Sequence, residues 1–293
     1  MIDLELIGED ALLWTSVLSL AMLIAEWTVG FATGKLRLLE VKETISSLGT
    51  LVGYVIGELA VRMLLIGALF WTYEQTAWQL PIELWSTLAA ILAADFIYYW
   101  QHRLSHASWF FWLAHSVHHS SPVFNSSVNF RLSIIDPLLA IPFMIPMILV
   151  GFHPGQVVFA QIIVLAYQSW IHTELIGKLP VLDWFLNTPS NHRVHHGVDD
   201  IYLDKNFGGI FMIWDHLFGT YQAETHRPVY GLTTPLNSQN PLRVWFSEFP
   251  PLLRALRRAP DLKSAARILF GPPGISDPIP QTPGVQTGDR QRV

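Results

Sequence analysis

Long runs of apolar residues separated by short polar segments dominate the first part of the chain. Three runs, at about residues 11–32, 47–72 and 82–101, are long enough to cross a hydrocarbon core, which requires about 20 residues. Two shorter runs, at 137–151 and 155–171, predict two short crossings or a hairpin that enters and leaves on one side, with crossings preferred. The pattern predicts an all-α, polytopic membrane bundle of about four to five membrane helices.

The later part of the chain has a different pattern. Segment 173–230 is polar but rich in aromatic residues, which predicts a helical cap at the membrane surface. The amphipathic stretch 241–270 is expected to lie along the membrane or pack on that cap. We expect residues 1–270 to form a single integral-membrane domain and 271–293, rich in proline and glycine, to be a disordered tail.

Composition agrees with a membrane location. Only 14% of the residues are charged, against about 25% in soluble domains, and 51% are hydrophobic. A net charge of −5 without a basic stripe argues against nucleic-acid binding. The chain has no cysteine, which excludes disulfides, thiolate zinc sites and iron–sulfur clusters. Its first ten residues are acidic, so the following apolar run predicts a retained helix rather than a secretory signal.

Basic residues alternate with acidic or uncharged segments between the apolar runs, and this alternation predicts the topology. The basic segments contain Lys35, Arg37, Lys42, Arg103, Arg131, Lys178, Arg193 and Lys205. The connection at 73–81 has Glu74 and no basic residue, and the turn at Gly151 is uncharged. The positive-inside rule therefore predicts an N-terminus outside and a cap on the cytoplasmic side.

Nine of the twelve histidines form three clusters and one isolated position within residues 102–196. They are His102 and His106, then His115, His118 and His119, then the lone His172, and finally His192, His195 and His196. Residues three or four apart share one face of a helix, so each cluster is expected to direct its imidazoles at one spot. Imidazole suits iron, zinc and copper. Because one zinc takes about four ligands, nine histidines predict two metal ions with about four nitrogens each.

Charged residues within the predicted helices need partners or a function. Glu58 and Arg62 are four residues apart and are expected to neutralise each other. Asp95 lies two helical turns before His102, where it would accept the free N–H of a metal-bound imidazole or form a helix-packing hydrogen bond. The sequence assigns no partner to Glu26.

The order of the histidine clusters on a membrane scaffold resembles the fatty acid hydroxylase/sterol desaturase superfamily over about residues 90–235. The matching segments include Asp95-Phe-Ile-Tyr-Tyr-Trp-Gln-His102, Asn187-Thr-Pro-Ser-Asn-His-Arg-Val-His-His-Gly197, Asp204-Lys-Asn-Phe-Gly-Gly209 and Trp214-Asp-His-Leu-Phe-Gly-Thr-Tyr221. Within it, the chain is most similar to the alkylglycerol monooxygenase-like branch, on Trp170-Ile-His-Thr-Glu174, Asn187-Thr-Pro-Ser190 and Val229-Tyr-Gly-Leu-Thr233. Ala107, Asn191 and His216 depart from the residues usual in that branch.

The resemblance implies that all nine histidines are ligands of two iron ions, for which zinc could substitute. It also implies O₂ as co-substrate, a lipid substrate from the bilayer, and an external electron donor, either a tetrahydropterin or a redox protein. Further residues expected to support the ligands or the substrate are Asp95, Asn125, Asn129, Arg131, Asp199, Asp204 and Asn206. Arg131 would contact an anionic or hydroxylated headgroup or cap the helix below it.

The chemistry favours an oxygenase. Zinc has no redox chemistry, so only a redox metal pair could oxidise an unactivated C–H bond. One alternative is a dizinc hydrolase, which would carry a general-base glutamate inside a histidine box, and these boxes have none. The other is a non-catalytic metal-stabilised membrane protein, which would have a closed coordination shell and no substrate cavity. Hydroxylation, desaturation, methyl oxidation and ether cleavage all remain compatible with the boxes.

Overall fold

The structure, a computed structural model, describes residues 4–34 and 37–274, without the side chains of residues 4–12 and 14. This part of the chain is helical, and its strand structure is limited to two isolated antiparallel bridges, Leu186 with Phe211 and Gly197 with Tyr230. The all-α prediction is therefore confirmed. The predicted disordered tail falls almost entirely on residues 275–293, outside the described residues.

Two long apolar helices open the chain. Helix α1 is Leu4–Ala32 and helix α2 is Leu38–Gln75, and both are long and apolar enough to cross a membrane. Their apolar side chains are largely exposed, with Met63 77% accessible, as expected for surfaces that face lipid. Within α2 the guanidinium of Arg62 donates two hydrogen bonds to the Glu58 carboxylate, at 2.9 and 2.8 Å, so the predicted pairing is confirmed.

Fewer helices meet this criterion than the sequence pattern predicted. Helix α3, Leu84–Ala107, contains most of the predicted run 82–101 but also carries Asp95 and the first histidine box. Helices α5, Asp136–Leu149, and α6, Pro154–Tyr167, have 14 residues each. Each is therefore about 21 Å long, against a hydrocarbon core of about 30 Å. Among the described residues, two helices meet the length and composition criterion for a membrane span, and the total of about four to five stays a prediction.

A hydrophobic core joins these helices. The buried side chains come from α2, α3, α5 and α6, with Phe152 added from the turn between α5 and α6 and Ile210 from a later loop. They are Leu69, Ala90, Ala94, Met147, Ile148, Phe152, Val157, Ala160, Val164 and Ile210. Small residues on α3 allow α6 to approach closely, and α1 packs on the other side of α6. This core holds the C-terminal half of α3, with its histidines, against the loop that contains Ile210.

Helix α2 changes character along its length. Its first third presents buried polar side chains, among them Glu43, Ser47 and Thr50, to the 3₁₀ turn Ser126–Phe130. The remainder is mostly apolar and exposed, apart from the Glu58–Arg62 pair and the buried Leu69. At 38 residues the helix is about 57 Å long, nearly twice the thickness of a hydrocarbon core. One end of α2 therefore belongs to the polar part of the protein.

Short helices build the rest of the molecule. They are α4 (Trp109–His119), α7 (Pro180–Phe185), α8 (Pro189–His195), α9 (Ile213–Phe218), α10 (Pro241–Trp245), α11 (Phe249–Arg257) and α12 (Leu262–Phe270). Helices α11 and α12 pack on α4 through a small core in which Trp109 and Leu113 meet Leu252 and Ile268. The structure places this part of segment 241–270 on α4, and its expected position along the membrane or on the cap stays a prediction.

Candidate metal centre

The nine histidines of the boxes gather at one place and divide into two groups. The five-histidine group is His102, His106, His115, His119 and His195. The four-histidine group is His118, His172, His192 and His196. In each group, one ring nitrogen per histidine lies within 4.8 Å of those of the others. His153, His216 and His226 lie outside both groups, as the sequence pattern indicated.

The second and third boxes each contribute to both groups, which corrects the expectation that each box serves one spot. On α4, His115 and His119 join one group, whereas His118 joins the other. On α8 and the residue that follows it, His192 and His196 stay together and His195 diverges. The physical reason is helix geometry, because consecutive residues point about 100° apart and can face two adjacent sites.

The Nε2 atoms approach one another in both groups. In the five-histidine group, His115 Nε2 lies 3.0 Å from His102 Nε2 and 3.1 Å from His119 Nε2. In the four-histidine group, a chain of contacts of 3.1, 2.8 and 3.1 Å runs through the Nε2 atoms of His118, His172, His192 and His196. Two lone pairs repel at such distances, but a shared cation would attract both. The clusters therefore have the donor set of a metal site.

Backbone carbonyls fix the tautomers of three rings. The Nδ1 atoms of His102, His195 and His172 lie 2.9, 3.0 and 3.4 Å from the carbonyl oxygens of Phe207, Lys205 and Gln168. A carbonyl can only accept a hydrogen bond, so each Nδ1 carries the proton and Nε2 keeps its lone pair. Imidazoles that ligate a metal are commonly oriented by such outer contacts.

Burial keeps these rings neutral and available as ligands. Loss of solvent lowers the pKa of His118 to about 4. Burial, with neighbouring imidazoles as further causes, also holds the pKa of His119 and His196 well below the usual value. Moreover, the buried Nε2 atoms of His106 and His195 have no hydrogen-bond partner. Neutral rings with unpartnered nitrogens fit a bound transition-metal ion.

Asp95 supports the five-histidine group without touching it. Its fully buried carboxylate accepts hydrogen bonds from the Ile210 and Phe211 backbone N–H groups and from the Trp214 indole, at 2.6, 3.2 and 2.8 Å. The expected contact with a histidine N–H is absent from the described residues, because the Phe207 carbonyl occupies that role for His102. Asp95 instead forms the packing hydrogen bonds that were the alternative.

A second buried carboxylate, which the sequence reasoning did not single out, binds the same loop as Asp95; we call the two carboxylates and their hydrogen bonds the loop clamp. Asp215 accepts the backbone N–H groups of Phe207 and Gly208, both at 2.8 Å. Gly209 permits the close approach of the loop, because a Cβ there would lie 2.7 Å from Asp95 Oδ1. The signal was present in the sequence, since Asp215 and the glycines lie in two of the motifs shared with the superfamily.

Arg131 lies behind the four-histidine group, fully buried. Its guanidinium donates to Glu43 Oε2 at 2.8 Å, to Ser120 Oγ at 2.8 Å and to the Val117 carbonyl at 3.2 Å. Of the two roles weighed for Arg131, the geometry is that of a cap on the C-terminal end of α4, one residue from His118. The buried side chain is 0% exposed and lines neither cavity described below.

The other expected support residues have separate positions. Asp204 Oδ1 lies 3.2 Å from His106 Nδ1, and Asp204 is the carboxylate of this set that contacts a histidine of the centre. Asn125 accepts the Ser127 N–H at the start of a 3₁₀ turn, and Asn129 donates to Ser19 on α1. Asp199 accepts the Val229 N–H. Asn206, at φ 58°, bridges the Asn191 and Gln222 carbonyls.

Aromatic rings that sequence reasoning missed enclose both groups. Phe207 packs edge-on against His102, His106 and His195, at centroid distances of 5.7, 5.2 and 5.8 Å. Phe124 packs near His196 at 5.1 Å and stacks on Tyr230 at 5.0 Å. Such rings exclude water from the imidazoles. Nothing in their sequence spacing distinguishes them from ordinary core aromatics.

Two cavities approach the centre from different sides. The first, which we call the site cavity, has a volume of about 220 Å³ and is lined by His106, His119, His195, His196, Asp204 and Pro272 among others. The second, the helix-end cavity, has a volume of about 240 Å³ and lies at the end of α1, with Phe124 and Tyr230 in its wall. The four-histidine group lies behind Phe124.

Comparisons with known proteins agree with this geometry. The family model described as fatty acid hydroxylase matches residues 87–220. Human alkylglycerol monooxygenase is 37% identical over 71% of this chain and 48% of its own length. The Xenopus tropicalis protein of the same name is 33% identical over 90% of this chain and 61% of its own. The chain belongs to the fatty acid hydroxylase superfamily.

Within the superfamily, these relatives identify the chain as a member of the alkylglycerol monooxygenase-like branch. A more distant relative, an ornithine lipid hydroxylase of Rhizobium tropici, is 29% identical over 51% of this chain and 46% of its own. The chain spans about half to three fifths of the length of the alkylglycerol monooxygenases named here. No solved structure matches it. The region matched by the superfamily model contains all nine histidines of the centre.

Proposed function

We propose that this protein is a membrane-bound diiron oxygenase that uses O₂ to hydroxylate or otherwise oxidise a C–H bond of a lipid. The proposal rests on one observation, the division of nine buried histidines into groups of five and four whose Nε2 atoms converge. Two adjacent imidazole-rich sites suit a pair of redox metals. All nine histidines are the proposed ligands, within a single integral-membrane domain of residues 1–270.

The number of ligands supports iron over zinc. Structural zinc takes four ligands, whereas five histidines converge in one of the two groups.

The bound irons would supply activation of O₂, and the protein's own residues hold and shield them. The carbonyls of Phe207, Lys205 and Gln168 keep Nε2 deprotonated on three rings. The rings of Phe124 and Phe207 limit water around the groups. The site cavity gives a small molecule access to the five-histidine group, which a closed structural metal site would not need.

A lipid is the proposed substrate, because the relatives are named for alkylglycerol and ornithine lipid oxidation and because two exposed apolar helices adjoin the centre. Electrons would come from a separate donor, a tetrahydropterin or a redox protein. By the positive-inside rule the centre would face the cytoplasm, with the N-terminus outside. A cysteine-accessibility assay on the natively cysteine-free chain would test this orientation.

The decisive experiment measures metal content and iron-57 Mössbauer spectra of the full chain, purified anaerobically from iron-57-grown cells. We expect about two irons per chain with the signals of a coupled high-spin pair. Two zinc ions and no iron under iron-replete expression would contradict the oxygenase and favour a hydrolase or a structural site. The His192→Ala variant is the control for metal bound outside the centre.

A further inference from the structure

The three C-terminal helices α10, α11 and α12 carry a surplus of positive charge. Segment 241–270 has six basic and two acidic residues, a net charge of +4, in a chain whose net charge is −5. Glu248 accepts the Trp109 indole N–H, and Asp261 accepts the Ser264 N–H at the start of α12. The six basic side chains are exposed, and they are Arg243, Arg254, Arg257, Arg258, Lys263 and Arg267. The segment is therefore a basic surface on an acidic chain.

Most of these cations have no acidic partner within the protein. In the described part of the chain, the ion pairs do not include Arg254, Arg257, Arg258 or Lys263. Other exposed arginines are paired, since Arg62 binds Glu58 and Arg227 binds Glu174. The cations of α11 and α12 are therefore available to an anionic partner from outside the chain.

Exposed apolar side chains accompany the cations on the outer face of α11 and α12. On α12, Leu262, Ala266 and Phe270 follow one another at intervals of four residues, and Leu262 is 89% exposed. Ile268 points the other way, into the small core on α4. On α11, Leu253 is likewise exposed. Basic and large apolar side chains together are typical of a helix that lies in the interface of an anionic membrane.

Helix α10 connects this outer face to the surface that is proposed to face lipid. Pro241 and Trp245 lie directly against α2 at Gly49 and Gly53, where a Cβ on either glycine would collide with them. The neighbouring Val52 is exposed and belongs to the apolar surface of α2. The C-terminal helices therefore begin at the edge of the proposed lipid-facing surface.

The end of α12 leads to the rim of the site cavity. The Gly271 carbonyl accepts the Trp109 N–H at 2.8 Å, which ties the end of α12 to the start of α4. The next two residues, Pro272 and Pro273, line the site cavity. A partner bound to α11 and α12 would therefore lie beside the entrance to the five-histidine group.

Among anionic partners, a membrane surface fits both kinds of side chain. A hydrophilic acidic protein would neutralise the cations but leave the apolar side chains without a partner. Lipid headgroups neutralise the cations, and the acyl boundary beneath them accepts apolar side chains to a depth of about 5–10 Å. We propose that the outer face of α11 and α12 binds anionic lipid headgroups and holds the rim of the site cavity at the membrane surface. The inference rests on the proposed function for the membrane location and not for the metal or the reaction.

The test measures which lipids lie next to α12. Because the chain has no cysteine, Leu262→Cys gives the full chain a single site for the fluorescent label NBD. In nanodiscs, lipids with a nitroxide on the upper acyl chain quench a label that they contact. We expect phosphatidylglycerol to quench about tenfold or more effectively than phosphatidylcholine at the same mole fraction. The reason is that each basic residue near an anionic surface contributes roughly a fivefold factor.

Removing charge from the outer face should remove this preference. In the labelled protein, Arg254→Gln/Arg258→Gln should lower the ratio of the two quenching constants about fivefold or more. Salt should act in the same direction, because the Debye length falls from about 10 Å at 0.1 M to about 3 Å at 1 M. The matched control, Lys42→Gln/Lys178→Gln, also removes two exposed cations but lies outside the C-terminal helices, and it should leave the ratio unchanged.

Thermal unfolding establishes that each variant is folded, and Leu253→Cys on α11 is a second label position if Leu262→Cys is not. A label that neither lipid quenches would place the outer face in water, favour an acidic protein as its partner and overturn the proposal. Equal quenching by the two lipids would also overturn it, as would a ratio that Arg254→Gln/Arg258→Gln leaves unchanged.

A label at Met63→Cys, on the exposed apolar part of α2, separates this proposal from the membrane location on which it rests. Both lipids should quench that label about equally. If they quench it but not the label at Leu262→Cys, the membrane location stands and the lipid-binding face falls. If neither label is quenched, both fall. If the lipid preference appears in a protein that holds zinc and oxidises nothing, the face stands and the oxygenase falls.

Discussion

The five-histidine group and the four-histidine group differ in exposure and in what supports them. The first borders the site cavity, and an exposed carboxylate, Asp204, contacts one of its rings. The second presents one ring, His196, to the same cavity and otherwise lies behind Phe124, next to the helix end that a buried ion pair holds in place. A more open group with a spare ligand and a more enclosed group without one suggest different tasks, exchange of small molecules at one and contact with the lipid at the other.

Removal of one ligand from each group should sharpen this contrast most. His192→Ala leaves three histidines in the enclosed group, so we expect loss of at least one metal per chain and activity below detection. His106→Ala leaves four in the open group, so most of the metal should remain and activity should fall about 10- to 100-fold, an estimate by analogy with other changes around metal sites. Elemental analysis measures the metal content of each variant and product assays measure its activity. Equal metal loss in the two variants would contradict the proposed difference between the groups.

The ion pair behind the four-histidine group should have the next largest effect. Arg131→Met leaves the buried Glu43 carboxylate without its cationic partner. Breaking a buried pair in this way lowers the free energy of unfolding by about 3–5 kcal/mol. Thermal or denaturant unfolding measures the loss. The double variant Glu43→Leu/Arg131→Met should recover much of it, because no buried charge is left unpaired. A double variant no more stable than the single one would argue against this role.

On the side of the five-histidine group, Asp95→Asn tests the loop clamp. The amide cannot accept at both oxygens, so at least one buried N–H loses its acceptor, at a cost of about 1–3 kcal/mol. Because the loop carries the carbonyl that orients His102, metal should be lost from the open group first. Unfolding together with metal titration checks this order, and earlier loss from the four-histidine group would contradict it.

Asp204→Asn should have the smallest effect. A carboxylate that orients a ligand imidazole is worth about 10- to 100-fold in metal affinity, and solvent exposure puts Asp204, 71% accessible in its side chain, at or below the low end. Metal competition with a chelator measures the change. Asp200→Asn, a neighbouring exposed carboxylate, is the control and should have no effect.

The sequence predicted the members of the centre better than their arrangement. Clustered spacing identified eight of the nine histidines that the structure brings together, and the family resemblance added the lone His172, but neither predicted the split of His118 from His119. That split depends on where the two sites lie relative to α4, which the tertiary structure determines and the local sequence does not. The partners of Glu26 are likewise 100 or more residues away along the chain, and no local pattern encodes them.

Hydropathy predicted the helices, but their apolar length alone does not say what each helix packs against. The run that became α3 has two kinds of surface, since Ala90 and Ala94 lie in the protein core and Asp95 binds a loop, whereas Leu88 and Leu92 are exposed. Helices α5 and α6 also contribute to the core and are short. Apolar runs that pack on protein and those that face lipid look alike until their neighbours are known.

The length of α2 has a consequence for where a lipid chain would be oxidised. Its apolar part is the proposed anchor in the bilayer, and its polar third is attached, through Glu43 and Arg131, to the structure around His118. Because the helix is continuous, its length would fix the distance between the metal centre and the bilayer. Inserting one residue between these parts would raise the centre by about 1.5 Å and turn Glu43 by about 100°. The position of the proposed reaction relative to the membrane would thus be set by the number of residues in α2 rather than by the thickness of the surrounding lipid.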